Sequence, residues 1–237
     1  MTPNPRHRAD PDTDTNRNGK ITRDVVLSTA LELIDRDGVD GLSMRRLARE
    51  LHRDPMTLYR HAQNKAALLN GVAETVLAQL KVDPTDPDWV AQLRTVARDY
   101  RRLALAHPGV VPLLVTLPLA TPLALRPQGI LRPIEDVLTL LTRAGYSGAD
   151  ALHIYRALFG FLHGHVLNEL QELVENPDET DDLLRLGLHR LPIGKFPLLR
   201  SLAPLLASYD GAAELERGLD ILLAGLTTLT PSDEPAL

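Results

Sequence analysis

The sequence predicts an all-α protein: a three-helix N-terminal unit over residues 21–82, followed by a larger helical body over 83–230. Three observations carry this. Apolar residues recur at helical spacing in almost every segment. Strong helix-start signals precede the early repeats, at Ser43, Asp54-Pro55 and Asn64. No hairpin turn signal stands between alternating runs, and Pro84 and Pro87 interrupt the chain where the two units meet.

Residues 1–20 are rich in Pro, Asp, Thr and Asn with no apolar run, which predicts a disordered arm rather than a signal or transit peptide. Arg6, Arg8, Arg17 and Lys20 give that arm cations for a nucleic acid, and Asp10, Asp12 and Asp14 oppose them. The first helix is expected from Thr22 to about Asp37, with Val26, Ala30, Leu33 and Ile34 inward and Gly38 ending it. Ser43 caps the second, which turns Leu42, Leu47, Ala48 and Leu51 to one face and leaves Arg45, Arg46 and Arg49 outward. Asp54-Pro55 starts a third of about two turns, Met56 to His61, in which only Leu58 points inward. That leaves Met56, Thr57, Tyr59, Arg60 and His61 for a partner. The fourth begins at the cap Asn64, runs to Lys81, and carries Leu68, Leu69, Val72, Val76 and Leu80 toward the body. Six cations (Arg45, Arg46, Arg49, Arg53, Arg60, Lys65) face two anions (Glu50, Asp54) in residues 41–65. A solvated helical hairpin also fits such a window. The order of helix, turn, capped short helix, aromatic and lysine is that of a DNA-reading helix-turn-helix.

The string from Ile21 to Leu69 resembles the DNA-binding domain of the TetR family of bacterial transcriptional regulators. The order of elements past Trp89 resembles the tetracycline-repressor type of C-terminal domain, to about Leu229. The resemblance implies that Arg45 reaches a base from the second helix and that Pro55 and Met56 lie near bases. It also implies that Thr57, Tyr59 and Lys65 hold phosphate or the groove edge. These roles suit the side chains: arginine offers two donors to a guanine edge, and methionine or proline meets a thymine methyl. Hydroxyls and lysine anchor the backbone without reading sequence. The chain departs from the pattern at His52, where the family usually has glycine in the turn. A side chain there must accept a left-handed conformation or change the turn.

In the body, helices are expected near 88–106, 108–115, 127–144, 148–175, 180–190, 197–208 and 211–229, with a disordered tail over 231–237. Residues 103–125 form 23 positions without Asp, Glu, Lys or Arg. That length could span a bilayer, but Pro108, Pro112, Pro118 and Pro122 interrupt it and no aromatic belts flank it, so no membrane partner is expected. Buried loops, or the wall of an apolar cavity, explain the missing charges. The resemblance implies that this stretch borders an effector pocket. Its expected lining is Leu114 and Leu117 with Tyr155, Phe159, His163 and Asn168 from the long helix after Ser147. The magnesium-tetracycline ligands of the resembling repressor fall on Leu114, Gly160 and Asn168. These supply no cation ligand beyond one neutral amide, so a different small organic effector is implied. The resemblance also makes the long helix and the last one a dimer interface, with Leu215, Leu219, Leu222 and Leu226 as contacts. Packing within one chain explains the same leucines equally well. Gly160, Gly164, Gly218 and Gly225 allow another helix to come close.

Cysteine is absent, which rules out disulfides and thiol chemistry and suits a cytoplasmic protein. The formal charge of -5 is uneven: residues 1–81 hold 13 Lys+Arg against 11 Asp+Glu, and 82–237 hold 13 against 20. An acidic body behind a basic head is what a DNA-binder needs when only the head meets phosphate. No glycine-rich phosphate loop, nucleophile elbow or HExxH occurs, so neither a catalytic role nor a cofactor is expected. His165 and Glu169, one turn apart, keep open an alternative, a helical metal-dependent enzyme using the His153–Glu169 face. A non-specific DNA-coating protein is a third class. The residues taken with the resemblance predict a homodimeric repressor that binds double-stranded palindromic operator DNA and is released by a small-molecule effector.

Overall fold

The computed structural model describes residues 21–120, 122–172, 192–206 and 208–226. The arm over 1–20, the helix expected at 180–190 and the tail over 231–237 lie outside them. Among the described residues every regular element is helical. The head comprises α1 (Arg23–Gly41), α2 (Met44–Glu50), α3 (Pro55–Leu58) and α4 (Lys65–Leu77). The body adds α5 (Trp89–Ala106), α6 (Val111–Ala120), α7 (Gln128–Arg143) and α8 (Gly148–Glu172). After these come the short α9 (Pro197–Ser201) and α10 (Ala203–Leu206), and then α11 (Gly211–Leu226).

Each head helix starts where a short polar side chain can accept a free amide proton of its first turn. The hydroxyl of Thr22 accepts from Val25, that of Ser43 from Arg46, the carboxylate of Asp54 from Met56, and the amide oxygen of Asn64 from Ala67. Gly38, at φ 71°, breaks α1, and one further turn follows before Leu42. The turn after α2 keeps its shape without glycine: His52 takes φ 50°. Its amide donates to the carbonyl of Arg49, and that of Arg53 donates back to Ala48 at 2.8 Å, which satisfies two orphan carbonyls at the end of α2.

Several expectations are corrected by the packing. The third helix is one turn, Pro55–Leu58, and residues up to His61 continue only as a turn, because Leu58 alone anchors it in the core. Arg46 does not point outward: its guanidinium folds back to the carboxylate of Asp37 at 2.6 Å and the Gly41 carbonyl at 3.1 Å. α4 ends at Leu77, not Lys81, with turn bonds continuing to Leu80. The expected helix over 108–115 divides into a 3-10 turn at Pro108–Val110 and α6, which runs on to Ala120. The expected helix over 197–208 divides into α9 and α10.

The uncharged 103–125 stretch has two fates. Its first part wedges the body onto the head: a Cβ at Gly109 would stand 2.5 Å from the Ile34 carbonyl oxygen, and the His107 ring nitrogen Nδ1 lies 2.8 Å from Asp35. Its later part is open, with Leu123 and Leu125 well exposed. No helix of the described residues is long and apolar enough to cross a membrane. Of the leucines on α11, Leu215, Leu219 and Leu226 are buried in the chain's own core with Leu223, while Leu222 is only half-buried. The packing alternative therefore holds for those three, since α11 lies against α5 and α8 of the same chain. Gly218 meets Phe161, whereas Gly160 and Gly164 face open space.

The left-handed backbone at residue 52 yields a stability expectation. Replacing His52 by glycine removes the Cβ clash of that conformation, so His52→Gly should raise unfolding free energy by about 1 kcal/mol. Asp54→Ala, which strips the α3 cap, should lower it by about 1 kcal/mol. Chemical denaturation of the two variants checks both signs, and a loss of stability on His52→Gly would contradict the strained-turn account.

Candidate nucleic-acid interface and ligand site

α2 and α3 pack together at the end of the head, and their outer sides carry the predicted DNA-facing residues. Arg45 is exposed, Met56 is 71% exposed and Tyr59 44% exposed, while Pro55 and Thr57 are half-buried on the same one-turn helix. A methionine and a tyrosine this open, beside a helix only four residues long, are not there to fill a core. Arg49 and Arg60 are exposed as well. Lys65 is drawn partly inward: its ammonium donates to the Val39 carbonyl at 3.0 Å, which ties the start of α4 to the end of α1. An ammonium has three donors, so this bond leaves two for another acceptor.

The head joins the body through α4, and one carboxylate sits at the junction. Glu74 accepts from the Arg23 guanidinium on α1 at 3.0 Å and, through its other oxygen, from the backbone amide of Gly129 at the start of α7 at 3.3 Å. Beside it opens a cleft of about 1020 Å³ between the end of α4 and α7, walled by Leu80, Lys81, Leu131, Ile134 and Leu138, with Leu123 and Ala124 at one edge.

Of the residues expected to line a ligand pocket, Leu114, Tyr155, Phe159, His163 and Asn168 do not border that cleft. Three of them meet elsewhere. On α8, Tyr155, Phe159 and His163 stand one turn apart, with ring centroids 4.7 Å and 6.2 Å from one to the next. Leu114 is buried on α6, Asn168 is exposed a turn beyond His163, and the side chain of Leu117 lies outside the described residues. Sequence reasoning missed the fourth ring of the cluster, Tyr100 on α5. It packs 5.9 Å from Phe159 and 5.6 Å from His163. Its spacing with Leu93, Val96, Ala97, Leu103 and Ala104 marks it as core. The available signal was a hydroxyl in an otherwise apolar stripe.

The pair that suggested a metal is engaged otherwise. Glu169 is buried and gripped at both oxygens by the Arg101 guanidinium, with one bond at 2.8 Å. His165 lies 3.5 Å from the same carboxylate. His153 is exposed on another side of α8. Among the described residues no three His, Asp or Glu side chains converge as metal ligands would. The Arg101–Glu169 pair is a bolt between α5 and α8, and removing Arg101 would leave the buried Glu169 carboxylate uncompensated.

Comparison with known proteins agrees with this architecture over both parts of the chain. Residues 26–72 match the model for bacterial regulatory proteins of the tetR family, and residues 83–230 that of the tetracyclin repressor-like C-terminal domain. An HTH-type transcriptional regulator of Saccharopolyspora erythraea is 32% identical over 208 residues, 87% of this chain and 84% of that protein. The class D tetracycline repressor protein of Escherichia coli is 30% identical over 213 residues, 87% of this chain and 89% of that one. Among solved structures, the Streptomyces coelicolor TetR family protein ActR in complex with (S)-DNPA superposes with a TM-score of 0.75. It is 31% identical and covers 90% of this chain and all (100%) of its own.

Burial pushes the His163 and His165 imidazoles below their ordinary pKa. The unfolded chain therefore takes up these protons near pH 6.5, and the folded chain only at lower pH. Stability should be unaffected by them above about pH 6.5 and should fall as pH drops through that value. Melting temperatures between pH 7.5 and 5.5 should decline in the parent and decline less in a His163→Gln, His165→Gln double variant. Equal slopes in the two proteins would show that neither histidine is responsible.

Proposed function

The chain belongs to the TetR family of bacterial transcriptional regulators, and from that membership we propose that it is a homodimeric repressor that binds palindromic operator DNA and leaves it when a small organic effector binds the body. The observation that carries the DNA half is the one-turn helix α3, whose Met56 and Tyr59 stand exposed beside Arg45. Two such heads, one per protomer, would enter major grooves one helical turn or a small multiple apart. The open faces at Gly160 and Gly164 on α8 are where a second copy's helix has room to approach. Leu215, Leu219 and Leu226, spent on the core, are not.

In this reading Arg45 reads a base edge, Pro55 and Met56 lie against bases, and Thr57, Tyr59 and Lys65 hold phosphate or the groove edge. Arg45→Ala should cost about 1 to 3 kcal/mol on the operator and relax preference at one position. Lys65→Ala should weaken all sequences alike and lower the salt slope by about one unit. It should also reduce stability, since it loses the bond to Val39. Selection of bound sequences from random duplexes, followed by titrations at several salt concentrations, measures the effects on DNA, and chemical denaturation measures the stability. If Arg45→Ala discriminates operator from random DNA as well as the parent does, the base-reading role is wrong.

The effector half starts from Tyr155, Phe159 and His163, a ready aromatic surface on α8, with Leu114, Leu117 and Asn168 as further candidate lining. α8 packs on α7, α7 packs on α4, and Glu74 links the start of α7 to both helices α1 and α4. A shift of α7 would thus reach the head through α4 and change the separation of the two recognition helices. Linkage requires operator DNA to weaken the effector by the factor by which the effector weakens DNA, typically about 5- to 150-fold. Glu74→Ala should reduce that factor while leaving the effector's affinity for DNA-free protein unchanged. Titration of a compound found by operator-release screening, into parent and variant with and without operator, provides the measurement. An unchanged factor would take Glu74 out of the path, and equal effector affinity with and without operator in the parent would refute the allosteric mechanism itself.

A further inference from the structure

Tyr100 lies on the apolar stripe of α5 with 1% of its surface exposed, and its hydroxyl, fully buried, has no hydrogen-bond partner. Buried hydroxyls are nearly always paired, and one that is not marks a place where an acceptor is missing. The rings around it come from one face of α8. Phe159 presents itself edge-to-face at 81°, His163 at 50°, and Tyr155 stacks obliquely on Phe159 at 37°. Burial holds the Tyr100 hydroxyl protonated, with its pKa far above the ordinary phenol value, and raises that of Tyr155 too. The same effect lowers the His163 imidazole, which is therefore neutral at physiological pH. Arg126 brings a charge within reach of the Tyr155 hydroxyl. Around Tyr100 itself the cluster consists of flat, uncharged rings and one unanswered donor.

We propose that Tyr100 is the polar anchor of the effector site, and that the effector is a flat, uncharged aromatic molecule bearing a hydrogen-bond acceptor such as a ketone or quinone oxygen. The oxygen accepts from the Tyr100 hydroxyl while the ring system packs on Phe159 and Tyr155. This rests on the reading of the chain as an effector-responsive regulator and adds what the effector is. The rings that meet Tyr100, Phe159 and the neutral His163, offer an ion no opposite charge, whereas a purely apolar molecule would leave the hydroxyl unpaired. The selectivity is of the strong kind, because a site with a buried donor penalises the analogue that lacks the acceptor.

The test compares two probes of one shape, 9-fluorenone and fluorene, which differ by a single carbonyl. Equilibrium dialysis against the full chain should show the ketone binding about tenfold more tightly. Tyr100→Phe keeps the ring and its packing, and should remove that preference by weakening 9-fluorenone about five- to tenfold while leaving fluorene unchanged. Tyr155→Phe should retain the preference. A preference that survives Tyr100→Phe, one that Tyr155→Phe abolishes instead, or a parent that binds neither probe or both equally would overturn the assignment. Operator binding without probe separates the two ideas. A parent that fails to select an operator refutes the regulator reading, whereas a normal operator with indifferent probes refutes the anchor alone.

Discussion

The head and the body share one apolar core, and α4 is the helix that belongs to both. Leu68, Val72 and Val76 are fully buried on it, and its contacts run to α1, α6 and α7. At Gly71 a side chain would stand 2.7 Å from Leu27, so α1 and α4 touch nearly backbone to side chain. A helix packed on three neighbours at interior density cannot slide against one without disturbing the others. The orientation of the recognition elements is therefore set by the body. The Gly109 wedge against Ile34 and the His107–Asp35 contact reinforce the same joint from the other end of α1.

Polar groups are distributed in keeping with that arrangement. Those of the head's outer side are left to solvent, where a polyanion can reach them without the cost of desolvating buried charges. Those of the body are committed to one another, some buried and some at the surface: Arg101 to Glu169 between α5 and α8, Arg94 to Glu216 and Asp220 between α5 and α11. The exposed members of this second group contribute little stability singly. What they do is hold α5, α8 and α11 in one register, so that the aromatic cluster between α5 and α8 has a rigid frame. Among the described residues, the Tyr100 hydroxyl and the His165 Nε2 are the buried side-chain polar atoms left without a partner, and of the two only the hydroxyl lies in the aromatic cluster.

Much of this was legible in the sequence for a simple reason. A cap is a bond between residues two or three positions apart, so Thr22, Ser43, Asp54 and Asn64 announce their helices without reference to anything distant. The stripe Val26, Ala30, Leu33, Ile34 is likewise a local period, and all four are buried as it requires. The resemblance added the meaning of Arg45 and Met56, whose exposure no periodicity explains. Element lengths were less secure. The one-turn α3 and the break between α9 and α10 depend on what each residue packs against, and a hydrophobic pattern cannot state that.

By itself, then, the sequence determined an all-α chain, a basic head on an acidic body, the positions of the helix starts and the order of a helix-turn-helix, because all of these follow from composition and from interactions within one or two turns. Tertiary structure alone decided that Arg46 turns back to Asp37, that Leu215 and Leu219 fill the chain's own core, that Glu169 is matched by Arg101, and that Tyr100 meets the rings of α8. Glu74 reaches partners 51 and 55 positions away, and Glu169 one 68 away. At such separations helical period says which face a side chain shares but not which helix comes to meet it, and that choice is made by the packing of the whole core.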